Sequence, residues 1–341
     1  MIDLKNKKIL FFAPSGENGR YSSEIKLELL SRGAEVVLYP ERPSLSTLKK
    51  VLVRLFNNAA PFFFNRYIKN ILVDHKEIHF DYLLVVRGEA FSNSTVKLIK
   101  KYHSSIKTII YFWDIFLTNN KSNIIKSFDK AFTFDFKDFR NNKGLIFRPL
   151  VYLDKHTKIV KSESRNIDFF FAGTMHSKRY TILQDFKKRI NGRAFFFYYF
   201  LPSKLIFLKD KIFSSKYKRA NLNSFDYKML SEAELYEKMS QSRSIVDVIY
   251  PGQEGLSMRV LEALGSNTKL ITDFEGIKNY NFYNPNNILV IDSKNIKIDF
   301  SFLESDFLNI ESTIKEKYTV RALVDDFFFN ESKPEDFFNT N

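Results

Sequence analysis

The chain has 341 residues, 44% of them apolar and 37 of them Phe, which is enough to build two cored domains and excludes a wholly disordered chain. It contains no Cys, which excludes a disulfide framework, thiolate metal sites and cysteine nucleophiles. Lys and Arg number 53 against 39 Asp and Glu, a formal charge of +14, and such an excess suits an anionic partner: nucleic acid, a membrane surface or a phosphorylated substrate.

In chain order, short apolar strands alternate with helical patterns. Lys8 to Ala13 reads as a strand running into the turn-rich loop Pro14-Ser15-Gly16-Glu17-Asn18-Gly19. A helix is expected from Ser22 to Ser31, stopped by Gly33, and a second strand from Glu35 to Tyr39. Further strands are expected at Asp81 to Val86, Lys107 to Phe112 and Lys130 to Phe134, with a helix from about Ser92 to Tyr102. Apolar strands alternating with helices predict a parallel sheet covered on both faces.

The pattern restarts after Arg148-Pro149 and the polar stretch Ser162-Glu163-Ser164-Arg165. Asp168 to Ala172, Ala194 to Leu201, Ser244 to Ile249, Thr268 to Thr272 and Asn287 to Ile291 read as strands. Ser231 and Glu234 form a capping-box start for a helix to Gln241, and Ser312 to Phe329 reads as a C-terminal helix. The expectation is an α/β chain of two Rossmann-like domains facing across a cleft, residues 1–150 and 151–341, the second ending in that helix.

The segment Asp247-Val248-Ile249-Tyr250-Pro251-Gly252-Gln253-Glu254-Gly255-Leu256-Ser257-Met258-Arg259-Val260-Leu261-Glu262-Ala263-Leu264-Gly265 carries the most chemistry. It reads as a strand, a Pro-Gly turn and a helix entered near Leu256 and closed at Gly265. Backbone N–H groups at Gly255, Leu256 and Ser257 would suit a phosphate at the helix N-terminus. Glu254 and Glu262 could accept hydrogen bonds from sugar hydroxyls. The bland alternatives are a solvated loop acid for Glu254 and an i,i+3 partner of Arg259 for Glu262.

On these residues the sequence resembles the GT-B glycosyltransferases, chiefly the retaining ones, whose signature is Glu, seven residues, Glu. The resemblance implies that Glu254 contacts the donor sugar and Glu262 the ribose hydroxyls. The segments Tyr111-Phe112-Trp113-Asp114, Phe128-Asp129-Lys130, Thr133-Phe134-Asp135 and Phe147-Arg148-Pro149-Leu150 are similar to those of bacterial capsule and lipopolysaccharide transferases. In such enzymes an Arg or Lys after the first strand of the donor domain holds the diphosphate, which implies that role for Lys178 or Arg179 in Gly173-Thr174-Met175-His176-Ser177-Lys178-Arg179, with Arg259 ranked after them.

Three acids following strands, Glu17, Glu89 and Asp114, are candidates for a base if the reaction inverts, and Trp113 could stack on an acceptor sugar or fill the core. No metal is expected: there is no Asp-x-Asp, and His75 and His79 lack the setting of a His-Glu-x-x-His helix. No cofactor is expected beyond the nucleotide-sugar donor as substrate.

The positive charge is concentrated in two windows. Leu48 to Leu72 holds Lys49, Lys50, Arg54, Arg66 and Lys69 and no acid; Ser203 to Arg219 holds Lys204, Lys209, Lys211, Lys216, Lys218 and Arg219 against Asp210. Both are interleaved with large apolar residues, which suits an anionic membrane surface better than nucleic acid, although two ordinary helices with solvated basic faces would read the same. The apolar run Ile9 to Ala13 is too short for a signal-peptide core. The expectation is therefore a cytoplasmic transferase, peripheral at the inner face of the plasma membrane, with a glycan or lipid-linked acceptor. Rival readings are a sugar-nucleotide epimerase of the same fold and a non-catalytic membrane-associated scaffold.

Overall fold

Runs such as KILFFA and YLLVV are apolar on both faces, so as strands they need cover above and below, and parallel sheets provide it. The computed structural model describes residues 3–15, 19–42, 59–190, 192–214, 217 and 220–339. These form two parallel sheets in two units: Met1–Pro149 with Val320–Asp336, and Leu150–Thr319 with Phe337–Asn341. Each unit is a Rossmann-like α/β domain.

The first unit contains β1 (Lys8–Ala13), α1 (Gly19–Ser31), β2 (Glu35–Pro40), α2 (Ala59–Asp74), β3 (Tyr82–Val86), α3 (Asn93–Tyr102), β4 (Lys107–Phe112), β5 (Lys130–Thr133), α4 (Phe136–Asn141) and β6 (Ile146–Phe147). Its strand order is β2-β1-β3-β4-β5-β6. The chain leaves β1 toward β2 and then crosses to β3 on the other side, so the sheet reverses direction between β1 and β3. Ser92 caps α3, its hydroxyl accepting from Thr95 N–H at 3.3 Å. Leu10, Phe12, Leu83, Val85, Ile110 and Phe112 bury one face of the sheet under Ile68, Leu72, Val96 and Ile99.

The second unit runs α5 (Asp154–Thr157), β7 (Ile167–Thr174), α6 (Arg179–Arg189), β8 (Phe195–Phe200), α7 (Lys204–Phe213), α8 (Glu232–Ser240), β9 (Ser242–Asp247), α9 (Met258–Gly265), β10 (Lys269–Thr272), β11 (Ile288–Val290), α10 (Ser301–Glu304) and α11 (Ser312–Glu316). Its order, β11-β10-β9-β7-β8, repeats the first unit's scheme, with the reversal between β7 and β9. The capping box at Ser231 and Glu234 is formed as the sequence predicts.

The C-terminal helix departs from expectation. In place of one helix from Ser312 to Phe329 there are two, α11 and α12 (Val320–Phe328), and α12 belongs to the first unit, not the second. The break falls at Tyr318, whose buried hydroxyl donates to Asn281 Oδ1 at 3.0 Å and whose carbonyl accepts from Tyr152 N–H at 2.9 Å, both within the second unit. α12 is held in the first unit from two sides. Arg32, at the end of α1, pairs with Asp325 at 2.5 Å and donates to the Arg321 carbonyl at 3.0 Å. Arg148, fully buried, pairs with Asp326. Phe327 packs against Tyr111 and Phe132 with ring centroids 5.5 and 5.3 Å apart.

Gly265 closes α9 for a reason other than a left-handed cap. It remains helical, and a Cβ there would lie 2.7 Å from Cγ of Tyr152. The left-handed residue is Asn267, with φ 49°.

Candidate functional site

In open parallel sheets the loops after the carboxyl ends of the strands, at the point where strand order reverses, are where ligands bind. In the second unit these are the loops after β7 and β9, and most of the predicted donor residues lie on them.

The loop after β9 is a tight turn over Tyr250-Pro251-Gly252-Gln253. Gln253 N–H donates to the Tyr250 carbonyl at 3.1 Å, and Gly252 has φ 84°, the conformation that a type II turn demands after Pro. Glu254 follows, half-buried, while Gly255 and Leu256 are buried. The helix begins two residues later than the sequence suggests. Ser257 is the N-cap of α9, its hydroxyl accepting from Val260 N–H at 3.3 Å and bonding the carboxylate of Asp247.

Glu262 has no exposed surface, and its carboxylate pairs with Arg259 one turn earlier, the i,i+3 alternative. His156 faces it as well, with Nε2 4.0 Å from Oε1; Leu153 N–H donates to His156 Nδ1 at 3.0 Å, which leaves the proton of a neutral ring on Nε2, toward the carboxylate. Arg259 also donates to the Ala172 carbonyl on β7 and lies over the Phe170 ring at 5.9 Å.

Arg179, the first residue of α6, straddles the reversal point. Its Nε donates to the Val248 carbonyl at 2.9 Å, Nη2 donates to the same oxygen, and Nη1 donates to the Thr174 carbonyl at 3.0 Å. A guanidinium has five N–H donors, so two remain on its terminal nitrogens. Burial pulls its pKa down, opposed by Asp247. Gly173 keeps the wall thin: a Cβ there would sit 3.3 Å from Phe171 and 3.8 Å from Arg179 Nη1. Lys178 is exposed at the head of α6.

In the sequence Asp247 is only a residue within the expected strand Ser244 to Ile249. It is 1% exposed at the carboxyl end of β9, and its Oδ2 has no hydrogen-bond partner. Burial raises its pKa against the pull of Arg179, the Ser257 hydrogen bond and Arg259. Asp273, after β10, accepts from Ile249 N–H at 2.8 Å, and burial raises its pKa too. The arrangement is two fixed guanidiniums at the ends of neighbouring strands, beside a capped helix start, with two acids whose ionisation burial disfavours. It can hold an anion.

The first unit has its own cluster at the reversal between β1 and β3. Arg87, in a left-handed backbone conformation with φ 74°, donates from Nε to Asp114 Oδ2 at 2.8 Å and lies 2.9 Å from Glu89 Oε2. Arg42 pairs with Glu89. Glu41, which the sequence reading passed over, is 2% exposed and accepts from Glu89 N–H at 3.0 Å; burial pushes its pKa up to about 7, opposed by Arg87 and Arg42. Its only sequence signal was its position after a strand. Glu17 lies outside the described residues. Trp113 is 8% exposed, edge-on to Tyr21 and Tyr111, and so fills the core and does not present a stacking face. His75 and His79 meet the hydroxyls of Tyr39 and Ser105.

No family model matches the chain, and no curated protein does. Solved structures do. The N-terminal domain of Candida albicans trehalose-6-phosphate phosphatase superposes with a TM-score of 0.51 at 11% identity, over 98% of this chain and 92% of that one. The Methanocaldococcus jannaschii UDP-GlcNAc 2-epimerase, in complex with UDP-GlcNAc and UDP, gives 0.49 at 12%, over 98% and 96%. A spinosyn rhamnosyltransferase complexed with thymidine diphosphate gives 0.46 at 8%, over 93% and 91%. At these identities the likeness is one of fold.

Proposed function

We propose that the protein is a glycosyltransferase of the GT-B type that moves a sugar from a nucleotide-sugar donor to a surface-polysaccharide or lipopolysaccharide acceptor, with retention and without a metal. The observation that carries this reading is the pair Arg179 and Arg259, fixed at the strand reversal of the second unit with N–H donors to spare. A nucleoside diphosphate leaving group develops negative charge on its phosphates, and two immobilised guanidiniums beside the Ser257-capped start of α9 neutralise that charge with little reorganisation.

In this reading Lys178 adds a mobile cation, Gly173 and Gly255 let the donor approach the backbone, Leu256 and Ser257 set the helix start, and Glu254 faces the sugar. Glu262 acts one step removed, by orienting Arg259. The first unit takes the acceptor, with Glu41, Glu89 and Asp114 as its carboxylates. A lipid-linked acceptor of this kind is met at the inner face of the plasma membrane, where the protein would be peripheral. Among the described residues no helix is long and apolar enough to cross a membrane.

The test is a thermal-shift screen with UDP-, GDP-, CMP- and dTDP-sugars. At a hundredfold excess over Kd one of them should raise Tm by roughly 3–5 °C through mass action. A folded protein that responds to none of them ends this reading. Conversion of the responding sugar without any acceptor would point to an epimerase instead.

A further inference from the structure

Helix α7 is built the wrong way round for water. Ser203 caps it, accepting from Ile206 N–H at 3.3 Å, and Phe207 is its one buried residue, 2% exposed and packed between Tyr217 and Phe225 with ring centroids 6.1 and 5.5 Å away. The other large apolar residues point outward. Leu205 is 77% exposed, Ile212 73% and Phe213 81%, with Leu208 at 44% and Ile206 at 38%.

At about 100° per residue these five occupy a continuous arc of roughly 160°, running from Leu208 through Ile212 and Leu205 to Phe213 and Ile206 on the side away from Phe207. A surface helix normally turns such an arc inward. Among the described residues of the second unit, none covers these five large apolar side chains, and a patch of this kind marks an interaction surface.

Charge identifies the occupant. Lys204 stands at one margin of the arc and Lys209 within it, both exposed, so their stems can lie along the apolar face while the ammonium groups reach outward. Lys211 lies on the inner side, donating to the Ala220 carbonyl at 2.8 Å with its ammonium 5.3 Å from the Phe207 ring centre. The surrounding sequence, Ser203 to Arg219, has six basic residues against one acid. A second copy of this face would bring like charges together, whereas anionic lipid headgroups satisfy the lysines and the acyl boundary takes the apolar arc.

We propose that the outward face of α7 is an interfacial membrane-binding surface that beds into bilayers containing anionic lipid. This deepens the peripheral placement given above and rests on it, while remaining separable from the donor chemistry. In the window from Leu48 to Leu72, Lys49, Lys50 and Arg54 lie outside the described residues, as do Lys216, Lys218 and Arg219 in the second window.

The experiment is flotation of the full chain with vesicles of phosphatidylcholine alone and of phosphatidylcholine with roughly a third phosphatidylglycerol, at low and physiological salt. The wild type should float with the anionic vesicles, less so as salt rises. The variant Leu205→Ser/Ile212→Ser/Phe213→Ser should lose binding about tenfold or more while keeping the nucleotide-sugar thermal shift. If the triple variant does not fold, Phe213→Ser alone is read, with a severalfold loss expected. Three results overturn the proposal: no wild-type binding to anionic vesicles, binding undiminished in the variant, or a wild-type dimer that the variant dissociates without any vesicle binding. Vesicle binding that persists while every sugar nucleotide fails would sink the transferase reading alone.

Discussion

Glu41 keeps its proton to a higher pH in the folded protein than in the unfolded chain, because burial outweighs the attraction of Arg87 and Arg42 and pushes its pKa from the usual 4.5 up to about 7. Between those values the folded state binds the extra proton, so this group's stability contribution is complete below about pH 4.5 and is lost as pH rises toward 7. The loss is at most about 3 kcal/mol. Glu41→Gln keeps an oxygen for the Glu89 N–H and removes the ionisation. It should therefore stabilise the protein by about 1–3 kcal/mol at pH 8 and change little near pH 5, read from urea unfolding at the two pH values. Parallel pH profiles for the two proteins would refute the assignment. Side chains differed in how far the sequence revealed them. The pairing of Arg259 with Glu262 was legible as an i,i+3 spacing, but the complete burial of Glu262 was not. Arg179 reaches a carbonyl 69 residues away, and no local pattern announces such a bond. Asp247 is marked only by three-dimensional crowding.

At the level of elements, the strands were the most legible parts, because a strand buried on both faces is written as an uninterrupted apolar run: β1 and β4 lie where the sequence puts them, Lys8–Ala13 and Lys107–Phe112. The stretch from Ser312 onward departs from the single helix its periodicity predicts for a physical reason. Helical periodicity records that a face is apolar but not which core receives it, and here two cores divide the stretch at Tyr318. What fastens α12 is a buried ion pair, and such pairs are costly to break from one side. Arg148→Ala leaves the Asp326 carboxylate buried beside the hydrogen bonds it accepts from Ser332 N–H and Oγ, both at 2.7 Å. It should cost about 3–5 kcal/mol in chemical unfolding, and Arg148→Met with Asp326→Asn should recover part of that. A cost below about 1 kcal/mol for the alanine variant would mean that the pair does not anchor the helix.

On the scale of the molecule, the two units share one winding scheme, with the first strand second from the edge and the reversal beside it, and each gathers its charged cluster at that reversal. The restart of the pattern after Pro149 made two units legible; their shared strand order was not, since a sequence lists strands without saying which are neighbours. Charge divides the second unit further: the guanidiniums at its strand reversal sit deep and paired, while Lys204 and Lys209 of α7 stand exposed among apolar side chains. The return of Val320–Asp336 to the first unit also sets an order of events during synthesis. The first unit's sheet leaves the ribosome early, yet the helix that covers it and satisfies Arg32 and Arg148 is made about 170 residues later, a wait of roughly 10–35 s at ordinary translation rates. Through that interval the nascent sheet has an open apolar flank, and Arg32 and Arg148 lack Asp325 and Asp326, Arg32 keeping its pairing with Glu28. Chains arrested at Thr319 should therefore be cut by protease within the first unit, and chains extended past Asp336 should resist, a contrast that pulse proteolysis of stalled ribosome complexes would reveal.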